Sequence, residues 1–413
     1  MIALKLFILI VVIHLSCSVT NEYRTYENYK LFEVHGERST LEELIDFMTE
    51  KYEIPYHQVR DQKATVLISP ELTTIFQNLA EFENLSYNVV VNDYSRILDA
   101  ERNSLVRSKQ SFSWTAYYDI DDIYDYLHNT SDANPDWAEE IVAGKSYEGR
   151  EIRGIRINTP GDVNKPVFFI ESGIHAREWI TPATTTYFIN QLLTSSDPKI
   201  TALRDQFDWR IFPTVNPDGY HHSFTVDRFW RKTRSRSPNG CYGADPNRNW
   251  DYNWLEYGAS NQPCNYQTYA GARPFSEIET SSLSSYVSQI ENLLAYVAFH
   301  SDAQMLLLPY SDSVEHIDNY DDLVTIGKVS LGHGKEVNGE KYEGPATAAE
   351  ILYKVSGGSM DWVRNALGTP LVYTYELRGR YFHWPANRIS EQGEEVTQMM
   401  VGLAAEAKNL GYY

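Results

Sequence analysis

Val167-Phe168-Phe169-Ile170-Glu171-Ser172-Gly173-Ile174-His175-Ala176-Arg177-Glu178-Trp179 is the stretch on which the fold turns. Its four leading apolar residues predict an apolar strand over Val167 to Glu171. A strand that gives way to a helix is the repeating step of a sheet flanked by helices. Gly173 interrupts the strand, and the segment from Trp179 to Leu193 predicts a helix. The junction carries an imidazole and a carboxylate three residues apart, His175 and Glu178.

Outward from this junction the same two patterns recur. Strands are predicted over Glu151 to Ile157, Asp208 to Phe212, Leu294 to Phe299 and Pro370 to Leu377, and helices over Ser276 to Ile290 and Ser390 to Lys408. Their alternation predicts an α/β fold, a mixed β-sheet flanked by helices. Zinc in hydrolases commonly takes two His and one Glu and leaves a position for water. His175 and Glu178 supply two such groups, although a surface or helix-capping pair has the same spacing. His300, closing the strand Leu294 to Phe299, is the third candidate, because sites in open α/β sheets gather at the carboxyl ends of strands.

At 413 residues the chain exceeds the usual single core, and a smaller unit precedes the large one. Residues 29 to 91 read as strand (Tyr29 to His35), helix (Ser39 to Lys51), strand (Ala64 to Ser69), helix (Glu71 to Phe82) and strand (Ser86 to Val91), a small α+β module. Thr40 and Glu43 have the spacing of a capping box at the first helix. Residues 92 to 110 predict a helical connector that exposes Arg102, Arg107 and Lys109 to a trypsin-like protease.

Lys5 followed by the apolar run Leu6 to Leu15 and the small residues Ser16-Cys17-Ser18 reads as a signal peptide over residues 1–18, which implies secretion. The run is too short to span ~30 Å of hydrocarbon. Removing Cys17 leaves Cys241 and Cys264 as a matched pair, so one disulfide is expected. Asn84 and Asn129 stand in glycosylation sequons. A formal charge of −20 argues against nucleic-acid or anionic-membrane partners.

Taken together, His175-Ala176-Arg177-Glu178, Asn216-Pro217-Asp218-Gly219-Tyr220, Trp230-Arg231-Lys232-Thr233-Arg234-Ser235, Asp245-Pro246-Asn247-Arg248-Asn249-Trp250, His300-Ser301, the segment Tyr353 to Trp362 and Tyr375-Glu376-Leu377-Arg378 follow one family's order. Across nearly its whole length the chain resembles the pancreatic carboxypeptidase A and B family of zinc metallocarboxypeptidases.

The resemblance implies one zinc per chain on His175, Glu178 and His300, with Asp245 fixing the tautomer of His175. It implies that Asn247 and Arg248 clamp the terminal carboxylate of a peptide, so that only free C-termini bind. Arg231 would stabilise the oxyanion, and Glu376 would act as general base and then acid on a water activated by the metal. Arg177 would meet the substrate upstream of the cut, and Tyr353 would close over the bound residue. Met360 would lie at the base of the specificity pocket, where an acid would select Lys or Arg; its thioether points instead to apolar or aromatic C-terminal residues.

Residues 19–91 then resemble an activation domain that covers the cleft, 92–110 a connecting segment with the activation cut, and 111–413 the catalytic domain; a monomer is expected. Two positions depart from the family pattern: Asp302 replaces an aromatic hydroxyl near the upstream subsites, and the loop after Arg378 is about three residues short. The alternatives are B-type specificity for Lys and Arg, or a non-catalytic secreted binding protein on the same scaffold.

Overall fold

The computed structural model describes residues 23–106, 112–160 and 164–413. The signal-peptide reading and the candidate cut sites Arg107 and Lys109 lie outside the described residues.

The chain opens with β1 (Lys30–His35), α1 (Arg38–Lys51), β2 (His57–Arg60), β3 (Lys63–Ile68), α2 (Thr73–Phe82) and β4 (Ser86–Val91), followed by α3 (Ser95–Val106). Its strands pair antiparallel in the order β2-β3-β1-β4. The sequence reading missed β2, because His-Gln-Val-Arg offers a single apolar residue and is held by pairing with β3. The capping box is also corrected: Thr40 lies inside α1, whose N-cap is Glu37 with no side-chain cap. Phe32, Val34, Leu41, Ile45, Met48, Val66 and Phe76 form this unit's own core.

The larger unit runs through α4 (Ile120–Ala133), β5 (Ala138–Lys145), β6 (Glu151–Ile157), β7 (Val167–Ser172), α5 (Ile180–Thr194), α6 (Pro198–Gln206), β8 (Asp208–Phe212) and α7 (Pro217–Thr225). It continues with α8 (Ile278–Val287), β9 (Leu293–Ser301), β10 (Met305–Leu308), α9 (Tyr320–Asn338), β11 (Glu343–Thr347), α10 (Ala348–Ile351), α11 (Ser359–Leu367), β12 (Leu371–Leu377) and α12 (Ile389–Asn409). Eight strands form one mixed sheet in the order β11-β10-β12-β9-β7-β8-β6-β5.

At its centre β12, β9, β7 and β8 are mutually parallel. Every residue of β7 is buried, which suits its continuous apolar run. Phe168 and Ile170 pack into the core beneath α5 and α12, while Phe169 faces the opposite core with Phe212, Tyr296 and Trp250. Full burial of such a side chain is worth about 1.5–3 kcal/mol, so one strand anchors two layers.

A fourth cluster, Tyr26, Leu31, Tyr56, Leu67, Tyr94 and Leu98 with Phe229 and Phe382, joins the N-terminal unit to the larger one. Among the described residues no helix is long and apolar enough to cross a membrane.

Candidate active site

Three neighbouring parallel strands end at one edge of the sheet and deliver the principal groups. His300 is the penultimate residue of β9, and Glu376 pairs with it in register from β12. β7 ends at Ser172, beside Phe299 of β9. The chain then turns at Gly173, whose φ of +64° suits glycine and where a Cβ would stand 3.2 Å from Pro182, Pro213 and Thr214. That turn carries His175 and Glu178 back across the strand ends. Asn216, the N-cap of α7, donates from Nδ2 to the carbonyls of Ile174 (3.0 Å) and Lys232 (3.1 Å), tying the two site loops together.

His175, Glu178 and His300 are all buried, and their ligand atoms lie within 4.8 Å of one another. Nδ1 of His175 is 2.8 Å from Oε1 of Glu178 and 3.2 Å from Nδ1 of His300, which is 3.5 Å from Oε2 of Glu178. On its other side, His175 Nε2 is 3.2 Å from Oδ1 of Asp245.

Burial works to raise the Asp245 carboxyl, but Arg231, Arg248 and His175 together hold it well below the usual carboxylate range. An ionised Asp245 accepts the Nε2–H and leaves the Nδ1 lone pair of His175 pointing at Glu178 and His300. Burial, reinforced by Arg231, keeps both imidazoles neutral, with His300 pushed down to about 3. Burial and then the Glu376 charge drive the Glu178 carboxyl well above its usual range. Two neutral imidazoles with converging lone-pair nitrogens, beside a carboxylate crowded by a second one, form a donor set that fits zinc.

Glu376 is half-buried at the end of β12, and its carboxyl is raised to about 7, by burial first and then by Asp302. Arg231 donates through Nε and Nη2 to Oδ2 of Asp245, at 3.0 and 2.8 Å. Asp245 therefore braces Arg231 as well as His175, where the sequence reading gave it the imidazole alone.

Arg248 donates from Nε to the Gly258 carbonyl (2.9 Å) and from Nη1 to the Asn247 carbonyl (2.9 Å). Asn247 accepts at Oδ1 from the Ser359 N–H, 3.0 Å. Gly357 packs flat on this pair: a Cβ there would lie 2.5 Å from the Arg248 carbonyl oxygen. Cys241 and Cys264 are joined in a disulfide that brackets the segment carrying Asp245, Asn247 and Arg248.

Met360 is buried on α11, with the Thr374 hydroxyl 3.4 Å from its sulfur. Ala348, Leu352 and Val355 line the same cavity as Met360. Asp361, adjacent in sequence, accepts the Ser311 N–H at 3.1 Å on both oxygens and is fully buried. Tyr353 is 47% exposed at the rim. Gln267, Leu307 and Ser311 also face the cavity and went unread in the sequence, where no motif surrounds them.

The N-terminal unit reaches into this same cleft. Arg177 donates from Nη1 to the Pro55 carbonyl (3.0 Å) and to Gln267 (2.9 Å), with its guanidinium 4.2 Å from the centre of the Phe382 ring. Arg60 donates to the Ala303 carbonyl. His57 is pushed down to about 4 by burial and then by Arg177 and Arg231.

The family model for zinc carboxypeptidase matches residues 123–399. Zinc carboxypeptidase A 1 of Anopheles gambiae is 37% identical over 408 residues, covering 95% of this chain and 92% of that protein. Zinc carboxypeptidase of Simulium vittatum is 44% identical over 303 residues, 72% of this chain and 98% of that one. The crystal structure of carboxypeptidase A from Helicoverpa armigera superposes with a TM-score of 0.82 at 29% identity, covering 93% of this chain and 98% of that chain. With its strand-end His and Glu groups converging as a zinc site requires, the chain belongs to the zinc carboxypeptidase family and is a hydrolase of the exopeptidase kind.

Proposed function

We propose that this chain is a secreted precursor whose processed form removes single apolar or aromatic residues from the free C-terminal ends of peptides. The observation that carries this reading is the pairing of Glu376 with His300 at adjacent strand ends, in one cleft with Arg248, Asn247 and Met360.

His175, Glu178 and His300 would hold zinc, which when bound would supply the Lewis acidity that activates a water and polarises a carbonyl. Glu376 takes a proton from the attacking water and returns it to the leaving amine. Arg231, braced by Asp245, meets the oxyanion that develops as the carbonyl is attacked. Arg248 and Asn247 hold the terminal carboxylate, with the planar guanidinium of Arg248 oriented by its bonds to two main-chain carbonyls. Tyr353 closes the rim. Met360 gives the leaving residue a polarizable apolar floor, and Asp361 is committed to the Ser311 N–H, so the pocket offers no free countercharge to Lys or Arg.

Latency follows from the contacts of residues 54–60. Arg177, the guanidinium that would meet the substrate upstream of the cut, is taken by the Pro55 carbonyl. Residues 1–18 would be removed on secretion, 19–91 would act as the activation domain, and a trypsin-like cut in 92–110 would release the catalytic domain of 111–413. Arg102 is exposed on α3.

The test uses blocked dipeptides before and after trypsin treatment, with and without a chelator. Activity should appear on processing, vanish with zinc removal and favour Phe or Leu ends over Arg or Lys. Equal turnover before and after processing would remove the latency reading, and a preference for basic ends would remove the A-type reading.

A further inference from the structure

The two departures from the family pattern meet in one place. Oδ2 of Asp302 accepts the Phe382 N–H at 2.9 Å, and Gly379 packs so closely that a Cβ there would stand 2.8 Å from the Asp302 Cβ. The short loop after Arg378 is therefore folded onto the carboxylate that replaces the family's aromatic hydroxyl. Asp302 makes no ion pair among the described residues. Of the two cations that act on it, Arg177 is held by Gln267 and the Phe382 ring and, in the precursor, also by the Pro55 carbonyl.

In the cleft Asp302 stands with Glu376 and Arg177. On the reading given above, Glu376 works at the scissile bond and Arg177 meets the substrate upstream of it, so the side chain immediately upstream of the cut passes Asp302. The N-terminal unit already places a cation there: Arg60 donates to the carbonyl of Ala303, the residue after Asp302, and its Nε is buried with no partner.

We propose that Asp302 makes this enzyme prefer a cationic residue immediately upstream of the scissile bond, with Arg60 occupying that subsite in the precursor. The inference rests on the exopeptidase reading but is separate from the choice of C-terminal residue. A carboxylate with no ion-pair partner within contact distance, in a partly enclosed cleft, discriminates by about tenfold in kcat/KM between a cation and a neutral side chain, and by a similar factor against an anion.

The experiment uses processed, zinc-loaded enzyme and three blocked dipeptides that share a C-terminal Phe and carry Lys, Leu or Glu in the penultimate place. The expected order is Lys over Leu over Glu, with the spread shrinking as salt rises from ~0.05 M to ~0.5 M. Asp302→Asn keeps an oxygen for the Phe382 N–H while removing the charge, and it should bring the three substrates within about twofold. Equal rates on Lys and Leu substrates in the wild type, a spread insensitive to salt, or a Lys preference retained in Asp302→Asn would each overturn the proposal. The salt series keeps the test sharp if that variant folds poorly. Hydrolysis of none of the three would instead remove the exopeptidase reading.

Discussion

The two sheets bury different kinds of side chain. Around the four-stranded N-terminal sheet the buried interior is aliphatic and aromatic, and Thr65 is the buried polar residue of its strands, with Ser69 just beyond β3. The eight-stranded sheet buries Glu171, His175, Glu178, Asp245, Arg248 and His300 along one edge. Burying ionisable groups costs several kcal/mol each unless they are paired or bind metal. A structure that gathers six of them beside parallel strand ends spends stability there for chemistry, while the smaller unit keeps ionisable groups out of its own core and buries them where His57 and Arg60 meet the larger one.

The contrast breaks if activity and stability respond alike in the two regions. The largest effect is expected from Glu376→Gln, which should lower kcat by about 100-fold to 10,000-fold while zinc content and melting temperature hold. Parallel loss of zinc, measured by metal analysis, would show that Glu376 belongs to the metal site itself.

In the N-terminal core the order should reverse. Phe32→Ala empties a fully buried site and should destabilise that unit by about 3–5 kcal/mol. Activity on a small substrate should then appear without proteolysis, and continued latency of a chain with a melted N-terminal unit would show that this unit does not block the cleft.

The seam between the regions has its own titration. Burial works to raise the Glu101 carboxyl, but Arg228 (2.6 Å) and His383 (3.0 Å) overcome it and hold it down to about 2, against an ordinary 4.5. A carboxyl depressed in the folded state stabilises it above the unfolded value and loses that contribution as pH falls through the folded one. This contribution to the seam is therefore present at neutral pH and fades between about 4.5 and 2. Glu101→Gln should loosen the seam at pH 7 and flatten its acid sensitivity, read by protease protection of α3. An unchanged acid profile would assign the seam to its aromatic cluster alone.

Met360→Asp carries the smallest expected change, a shift of about tenfold in the ratio of Arg-ended to Phe-ended substrates toward Arg. No shift would mean that the buried floor of the pocket is shielded from the substrate.

The sequence by itself determined the central strands, because β7 and β9 are continuous apolar runs that suit burial on both faces. It also determined the chemical identities of the zinc set, since His175 and Glu178 share one turn and His300 closes a readable strand. It did not show β2, β10 or β11, short strands that exist by pairing and have no periodicity of their own. Nor did local pattern reveal that Asp245 supports both His175 and Arg231, or that Asp302 pins the loop at Phe382, because these partners lie 70, 14 and 80 residues apart. Residue type and spacing specify local backbone and which groups can do chemistry; only packing of the strand ends against one another decides which of those groups share a charge, and the low dielectric created by that packing makes the sharing matter.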